Sequence, residues 1–108
     1  MTPEKLKKQQ LLDFLDSKIF DPVLEALPEQ YSTEREKKML IDVQEIARYE
    51  KDHYHFQLMS AKEIKEEYLK EVSRDGGGRI SRELEDLELP KLHLFREQFL
   101  DLCRELQI

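Results

Sequence analysis

Two residues of the chain have the types and the spacing of metal ligands. Glu50 and His53 are three positions apart in a long stretch with helical periodicity, and this spacing places a carboxylate and an imidazole on adjacent turns of one helix face. Carboxylate-bridged di-iron bundles use the same Glu-x-x-His unit. The sequence therefore offers a metal site in which Glu50 and His53 are ligands, with His55 or His93 as further candidates.

A structural role for the same two residues is the competing interpretation. A di-iron bundle needs a second Glu-x-x-His unit and two more glutamates, whereas this chain contains one such unit. A homodimer can supply the second unit across a two-fold axis. Without a metal, Glu50 is an interfacial glutamate that reaches solvent or pairs with a basic residue or a Tyr hydroxyl. No other part of the sequence indicates a cofactor.

The three glycines of the chain are consecutive and form a candidate anion site. Backbone N–H groups of Gly76, Gly77 and Gly78, together with Arg79, can surround a phosphate or carboxylate at the start of the next helix. Their spacing matches neither the P-loop nor the dinucleotide-binding fingerprint. The favoured interpretation is a helix end followed by a flexible connector over residues 75–79.

Composition excludes several classes of function. The chain has 24 acidic and 18 basic residues and a net charge of −6, which argues against a nucleic acid or an anionic membrane as the main partner. No apolar run approaches the roughly 20 residues needed to cross a bilayer. A single cysteine, Cys103, excludes an intramolecular disulfide and a cysteine-based zinc site. We expect a cytoplasmic protein in which Cys103 is a small core residue.

The predicted fold is all-α, with residues 1–108 forming a single helical domain. Capping patterns predict where four helices begin, and they occur at Thr2-Pro3, Asp21-Pro22, Thr33 to Glu36 and Ser60 to Glu63. The expected architecture is a small bundle of four longer helices and two short ones. The longer helices cover residues 3–20, 33–58, 61–74 and 91–106, and the short ones cover residues 22–27 and 81–89.

Apolar periodicity predicts which side of each helix is buried. In the central helix the stripe consists of Leu40, Val43, Ala47, Tyr54 and Leu58. In the next helix it consists of Ala61, Ile64, Tyr68 and Val72. In the last helix the seam consists of Leu92, Phe95, Phe99, Leu102, Cys103 and Leu106.

Four of the apolar residues outside these stripes form a predicted partner surface. They are Tyr49 and Phe56 in the central helix and Leu94 and Leu100 in the last one. The sequence contains no recognisable nucleophile with its base and no phosphate-binding loop. The leading hypothesis is therefore a non-catalytic regulatory or accessory domain that binds a protein partner, with a second copy of the chain as one candidate partner.

A third hypothesis is nucleic-acid binding. Residues 81–89 resemble the second helix of helix-turn-helix proteins, because Ser81 and Arg82 open a helix that carries Leu84 and Leu87. The resemblance implies that this helix enters a DNA groove. The segment also carries four acidic side chains that would repel phosphates, namely Glu83, Glu85, Asp86 and Glu88.

Overall fold

Helices account for most of the chain, which confirms the all-α prediction. The computed structural model describes residues 2–56, 58–75 and 79–108, and no strand occurs in these ranges. The elements in order are α1 (Pro3–Leu15), a π-helical turn (Asp16–Phe20), α2 (Asp21–Glu25), a 3-10 turn (Pro28–Gln30), α3 (Glu34–Phe56), α4 (Ala61–Asp75), α5 (Arg79–Asp86), a second 3-10 turn (Leu92–Phe95) and α6 (Arg96–Glu105).

Three of the predicted helix starts are confirmed by side-chain caps. The Lys5 amide donates to Thr2 Oγ1 at 3.2 Å at the start of α1. At the start of α3, the Glu36 amide donates to Thr33 Oγ1 at 3.1 Å. Ser60 caps α4 in the same way, because its Oγ accepts from the Glu63 amide at 3.2 Å. Each cap satisfies a backbone N–H that has no partner inside its helix.

The prediction that Asp21 caps a new helix was wrong. Phe20 and Asp21 both have right-handed helical dihedral angles, so the backbone runs without a break from α1 into α2. The Asp21 amide donates to the carbonyl of Asp16, five residues back. Pro22 follows the π turn directly. Proline has no N–H to donate, and its ring crowds the preceding turn of a regular α-helix, so the widened π turn is where the helix adjusts to it. The Asp21 carboxylate instead accepts from Lys51 of α3 at 2.7 Å.

The buried apolar residues form two clusters along a molecule with extents of 47 × 26 × 19 Å. The larger cluster joins α1, the π turn, α4 and α6, and its buried members include Leu11, Leu15, Ile64, Tyr68 and Phe99. The smaller cluster joins α2, α3 and α5, and its buried members are Val23, Leu40, Val43, Ala47 and Leu87. All four predicted α4 residues and the α6 seam pack in the larger cluster.

Helix α3 contributes to both clusters and therefore connects them. Leu40, Val43 and Ala47 are buried in the smaller cluster, while Tyr54 is buried in the larger one. The fifth residue of the predicted stripe, Leu58, is fully exposed. It lies beyond the end of α3 at Phe56, so the helical periodicity that would have buried it no longer applies.

The C-terminal third differs from the prediction at its helix boundaries. Helix α5 begins at Arg79, two residues before the expected start at Ser81. It ends where Glu88 adopts a left-handed conformation with φ of 57° and the Leu89 amide donates to the Leu84 carbonyl at 2.8 Å. The last predicted helix is divided into a 3-10 turn and α6. Its predicted core residue Cys103 is buried, and burial raises the pKa of that thiol.

Candidate functional site

The closest approach to a metal-binding arrangement lies between α3 and α4. Glu67 and Glu71 are one helical turn apart on α4 and point to the same side. His53 Nε2 of α3 is 3.6 Å from Glu67 Oε1. One ligand atom from each of His53, Glu67 and Glu71 lies within 4.8 Å of the other two. Among the residues that the structure describes, no other group of three or more His, Cys, Asp or Glu side chains converges in this way.

Tyr54 supports this cluster from the protein interior. Its side chain is fully buried, and its ring packs against Phe20 with a centroid distance of 6.0 Å. The Tyr54 hydroxyl donates to Glu71 Oε2 at 3.0 Å. Burial and then the nearby Glu71 charge raise the pKa of the Tyr54 hydroxyl above its ordinary range. Tyr54 therefore stays protonated and holds the Glu71 carboxylate by donating to it.

Glu50 lies one turn before His53, at the junction of the two apolar clusters. It lines a cavity of about 40 Å³ together with side chains such as Phe20, Val43 and Leu92. Its charge contributes to the raised pKa of Tyr54, although Glu50 is not one of the three side chains that converge at His53. Metal binding by Glu50 therefore stays a prediction. The side chains that the structure places beside His53 are two glutamates of α4, Glu67 and Glu71.

The other two histidines lie apart from the His53 cluster. His55 Nε2 is 2.8 Å from Asp16 Oδ2 in the π turn, and this contact attaches the end of α3 to the first helix. His93 belongs to the second 3-10 turn, and its Nδ1 is buried without a hydrogen-bond partner within the described ranges. Neither histidine is in the group that contains His53.

Three large apolar side chains of α3 project into solvent on one side of the helix. Ile41 is 51% exposed, Tyr49 75% and Phe56 79%. At 100° per residue they fall within an arc of about 80°. We call this side, defined by Ile41, Tyr49 and Phe56, the outer face of α3. The sequence had indicated Tyr49 and Phe56, but Ile41 was missed although it lies eight residues before Tyr49.

The remaining predicted site residues do not extend this outer face. Leu94 is 58% exposed in the second 3-10 turn, and Leu100 is half-buried in α6. The predicted anion site at Gly76, Gly77 and Gly78 lies outside the described residues. Arg79, its fourth member, is the first residue of α5.

The sequence reasoning missed Glu67 and Glu71. Their spacing of four residues was a usable signal, because it places two carboxylates on one face of a helix. That signal is common in a chain with 24 acidic residues. Only the packing of α4 beside the end of α3 separates this glutamate pair from the others.

Comparison with known proteins provides no family for this chain. Protein-family models, curated proteins and solved structures all gave no match. In the part of the chain that the structure describes, no helix has the length and apolar character needed to span a membrane. The functional assignment therefore depends on the geometry of the chain itself.

Proposed function

We propose that this chain is a non-catalytic protein-interaction domain that associates with a second copy of itself through the outer face of α3. The observation that supports the proposal is the alignment of Ile41, Tyr49 and Phe56, each more than half exposed. Phe56 lies 15 residues after Ile41, so the set extends along about 22 Å of helix. Single exposed apolar residues are ordinary in soluble proteins, but these three recur about every two turns on one face, alternating with charged residues.

The charges on the same face favour an antiparallel pair of α3 helices. If the two helices of 23 residues overlap along their full length, Glu45 lies on the two-fold axis and Ile41 lies opposite Tyr49 of the second copy. The same register places Lys38 opposite Asp52. Because the axis is two-fold, each of these contacts occurs twice.

Two further side chains complete this charge pattern. Asp42 lies opposite Arg48 of the second copy in the same register. Within the described ranges, the ion pairs use neither of these residues, nor Lys38 or Asp52. Lys38, Arg48 and Asp52 are exposed, while the half-buried Asp42 lines a surface pocket beside Arg82 of α5. A parallel pair would instead place like charges against each other, which is unfavourable.

One contact in this register opposes association. The two Glu45 side chains meet near the axis, and like charges at that position weaken the pair. We therefore expect a weak, concentration-dependent dimer. Glu45→Gln should strengthen it, because the substitution removes the repulsion and leaves the side chain nearly the same size.

A charge-exchange experiment tests the register. Sedimentation equilibrium should show dimers of the unmodified protein at concentrations up to about 1 mM, the range for an association of about 4 kcal/mol. Lys38→Glu and Asp52→Lys should each weaken the dimer, and the double variant should restore it. Leu94→Ser, at an exposed apolar residue of another element, is the control and should have no effect.

Two results would overturn the proposal. If the unmodified protein is monomeric throughout this concentration range, the outer face of α3 does not bind a second copy. If dimers form but the double variant does not recover the association lost in the single variants, then Lys38 and Asp52 do not face each other.

A further inference from the structure

The cluster of His53, Glu67 and Glu71 takes no part in the contacts proposed for α3 self-association. We propose that these three side chains bind one divalent transition-metal ion between α3 and α4. The donor set is one imidazole nitrogen and two carboxylates, which suits Zn²⁺, Fe²⁺ or Mn²⁺. Thiolate ligation does not contribute, because Cys103 is buried in the core of the larger apolar cluster.

The distances are close to those of an assembled site. Metal–ligand bonds to imidazole nitrogen and carboxylate oxygen are about 2.0–2.2 Å, so neighbouring ligand atoms around one ion are about 3–3.5 Å apart. The ligand atoms of His53, Glu67 and Glu71 already lie within 4.8 Å of one another, and His53 Nε2 is 3.6 Å from Glu67 Oε1. Small rotations of long side chains can close the remaining gap without moving either helix.

Apolar packing and one hydrogen bond hold in place the helices that carry the three ligands. Ile64, Tyr68 and Val72 bury the adjacent side of α4 in the larger apolar cluster, which places the two glutamates at the edge of that cluster. Tyr54 brings α3 to the same place and donates to Glu71 Oε2 at 3.0 Å. Hydrogen bonds of this kind orient carboxylate ligands and support metal affinity.

The cluster is also accessible to an ion from solvent. The His53 side chain is 32% exposed and that of Glu67 is 25% exposed. Three protein ligands leave at least one coordination position for water, as in open zinc sites. The local charge favours a cation, because the carboxylates of Glu67 and Glu71 converge on the His53 imidazole.

A structural interpretation explains the same contacts without a metal. The His53–Glu67 pair can be an ordinary ion pair across two helices, and the Tyr54–Glu71 hydrogen bond can serve only to attach α3 to α4. The two interpretations differ in a measurable way. A structural cluster has no saturable affinity for a metal ion, whereas a site binds one ion per chain.

Calorimetric titration of untagged, chelator-treated protein with Zn²⁺, and separately with Mn²⁺, tests the proposal. We expect one ion per chain for at least one of the two metals. Glu67→Gln should weaken binding by at least about tenfold, the smallest typical loss when only a hydrogen-bond partner of a ligand is removed, because it changes a ligand itself. Glu66→Gln is the matched control, because it makes the same chemical change on the neighbouring, exposed residue of α4 and should bind like the unmodified protein.

His53→Ala provides a second, independent variant, with His55→Ala as its control. Far-UV circular dichroism of each variant verifies that α3 and α4 remain folded. The proposal is overturned if neither metal binds with a 1:1 stoichiometry below about 1 mM, or if Glu67→Gln and Glu66→Gln bind equally well. The three metal ligands are not among the residues that pair in the proposed dimer. A failure to bind metal therefore leaves the α3 self-association proposal unaffected, and a failure to dimerise leaves the metal proposal unaffected.

Discussion

Replacing Tyr54 by Phe tests the role of the hydroxyl that joins α3 to α4. At neutral pH the variant loses the hydrogen bond of 3.0 Å from Tyr54 to Glu71. We expect the free energy of unfolding to fall by about 1 kcal/mol, the net value of a typical protein hydrogen bond. The loss should stay near this value because Glu71 is only half-buried and can accept from water instead.

Alkaline pH should reverse the order of stability. The pKa of Tyr54 is raised above its ordinary value of 10.0 by burial and then by Glu71, so above that pH the unfolded chain releases a proton that the folded chain keeps. The folded state then binds more protons, and the free energy of unfolding falls as pH rises. For the unmodified protein, the free energy of unfolding should fall by about 1.4 kcal/mol per pH unit in this range. Tyr54→Phe has no hydroxyl at this position and should not show this fall. Tyr68, whose pKa burial also raises, contributes equally to both proteins.

Urea denaturation followed by circular dichroism measures this difference between neutral pH and about pH 11. The stability curves of the two proteins should converge above about pH 10 and cross within about one further pH unit. Tyr49→Phe is the matched control, because Tyr49 is 75% exposed, and its profile should follow that of the unmodified protein. Parallel profiles for Tyr54→Phe and the unmodified protein would refute the reasoning, because they would show that the buried hydroxyl ionises as easily in the folded state as in the unfolded one.

Two further predictions concern the smaller apolar cluster. The Gln44 side-chain amide donates to the carbonyls of Val23 at 3.0 Å and Ala26 at 2.8 Å at the end of α2. Gln44→Leu leaves these two acceptors without their donor. We therefore expect it to lower the free energy of unfolding, measured by urea denaturation, by about 1–3 kcal/mol. Leu40→Ala should cost about 2–5 kcal/mol in the same assay, because Leu40 is fully buried, whereas Leu58→Ala should change little because Leu58 is fully exposed. Equal effects at Leu40 and Leu58 would contradict the description of this cluster.

Local chemistry was enough to predict most helix starts and the buried sides of the helices. Thr33 and Ser60 each form a cap within four residues, so their hydrogen bonds depend only on the neighbouring sequence. The buried residues of α4 and the seam that contains Phe99 follow from helical periodicity. These features could be predicted because the interacting groups are close in sequence.

Two predictions failed, one because of a contact with a distant residue and one because a helix ends. Asp21 has the spacing of a cap, but its carboxylate contacts Lys51, 30 residues away, and a π turn carries the helix past Pro22. Leu58 continues the apolar periodicity of α3 in the sequence, but the helix itself ends at Phe56. The Ser60 cap begins the next helix two residues after Leu58, so the periodicity of α3 does not extend to that residue.

The sequence by itself determined the helical class, most caps and the apolar seams, because short-range hydrogen bonds and a period of 3.6 residues decide them. It also identified His53, Tyr49 and Phe56 as residues of interest. Only the tertiary structure decided that His53 meets Glu67 and Glu71 and that Tyr49 and Phe56 share an exposed face with Ile41. Those relations depend on which helices lie side by side, and the packing of two apolar clusters over the whole chain sets that arrangement.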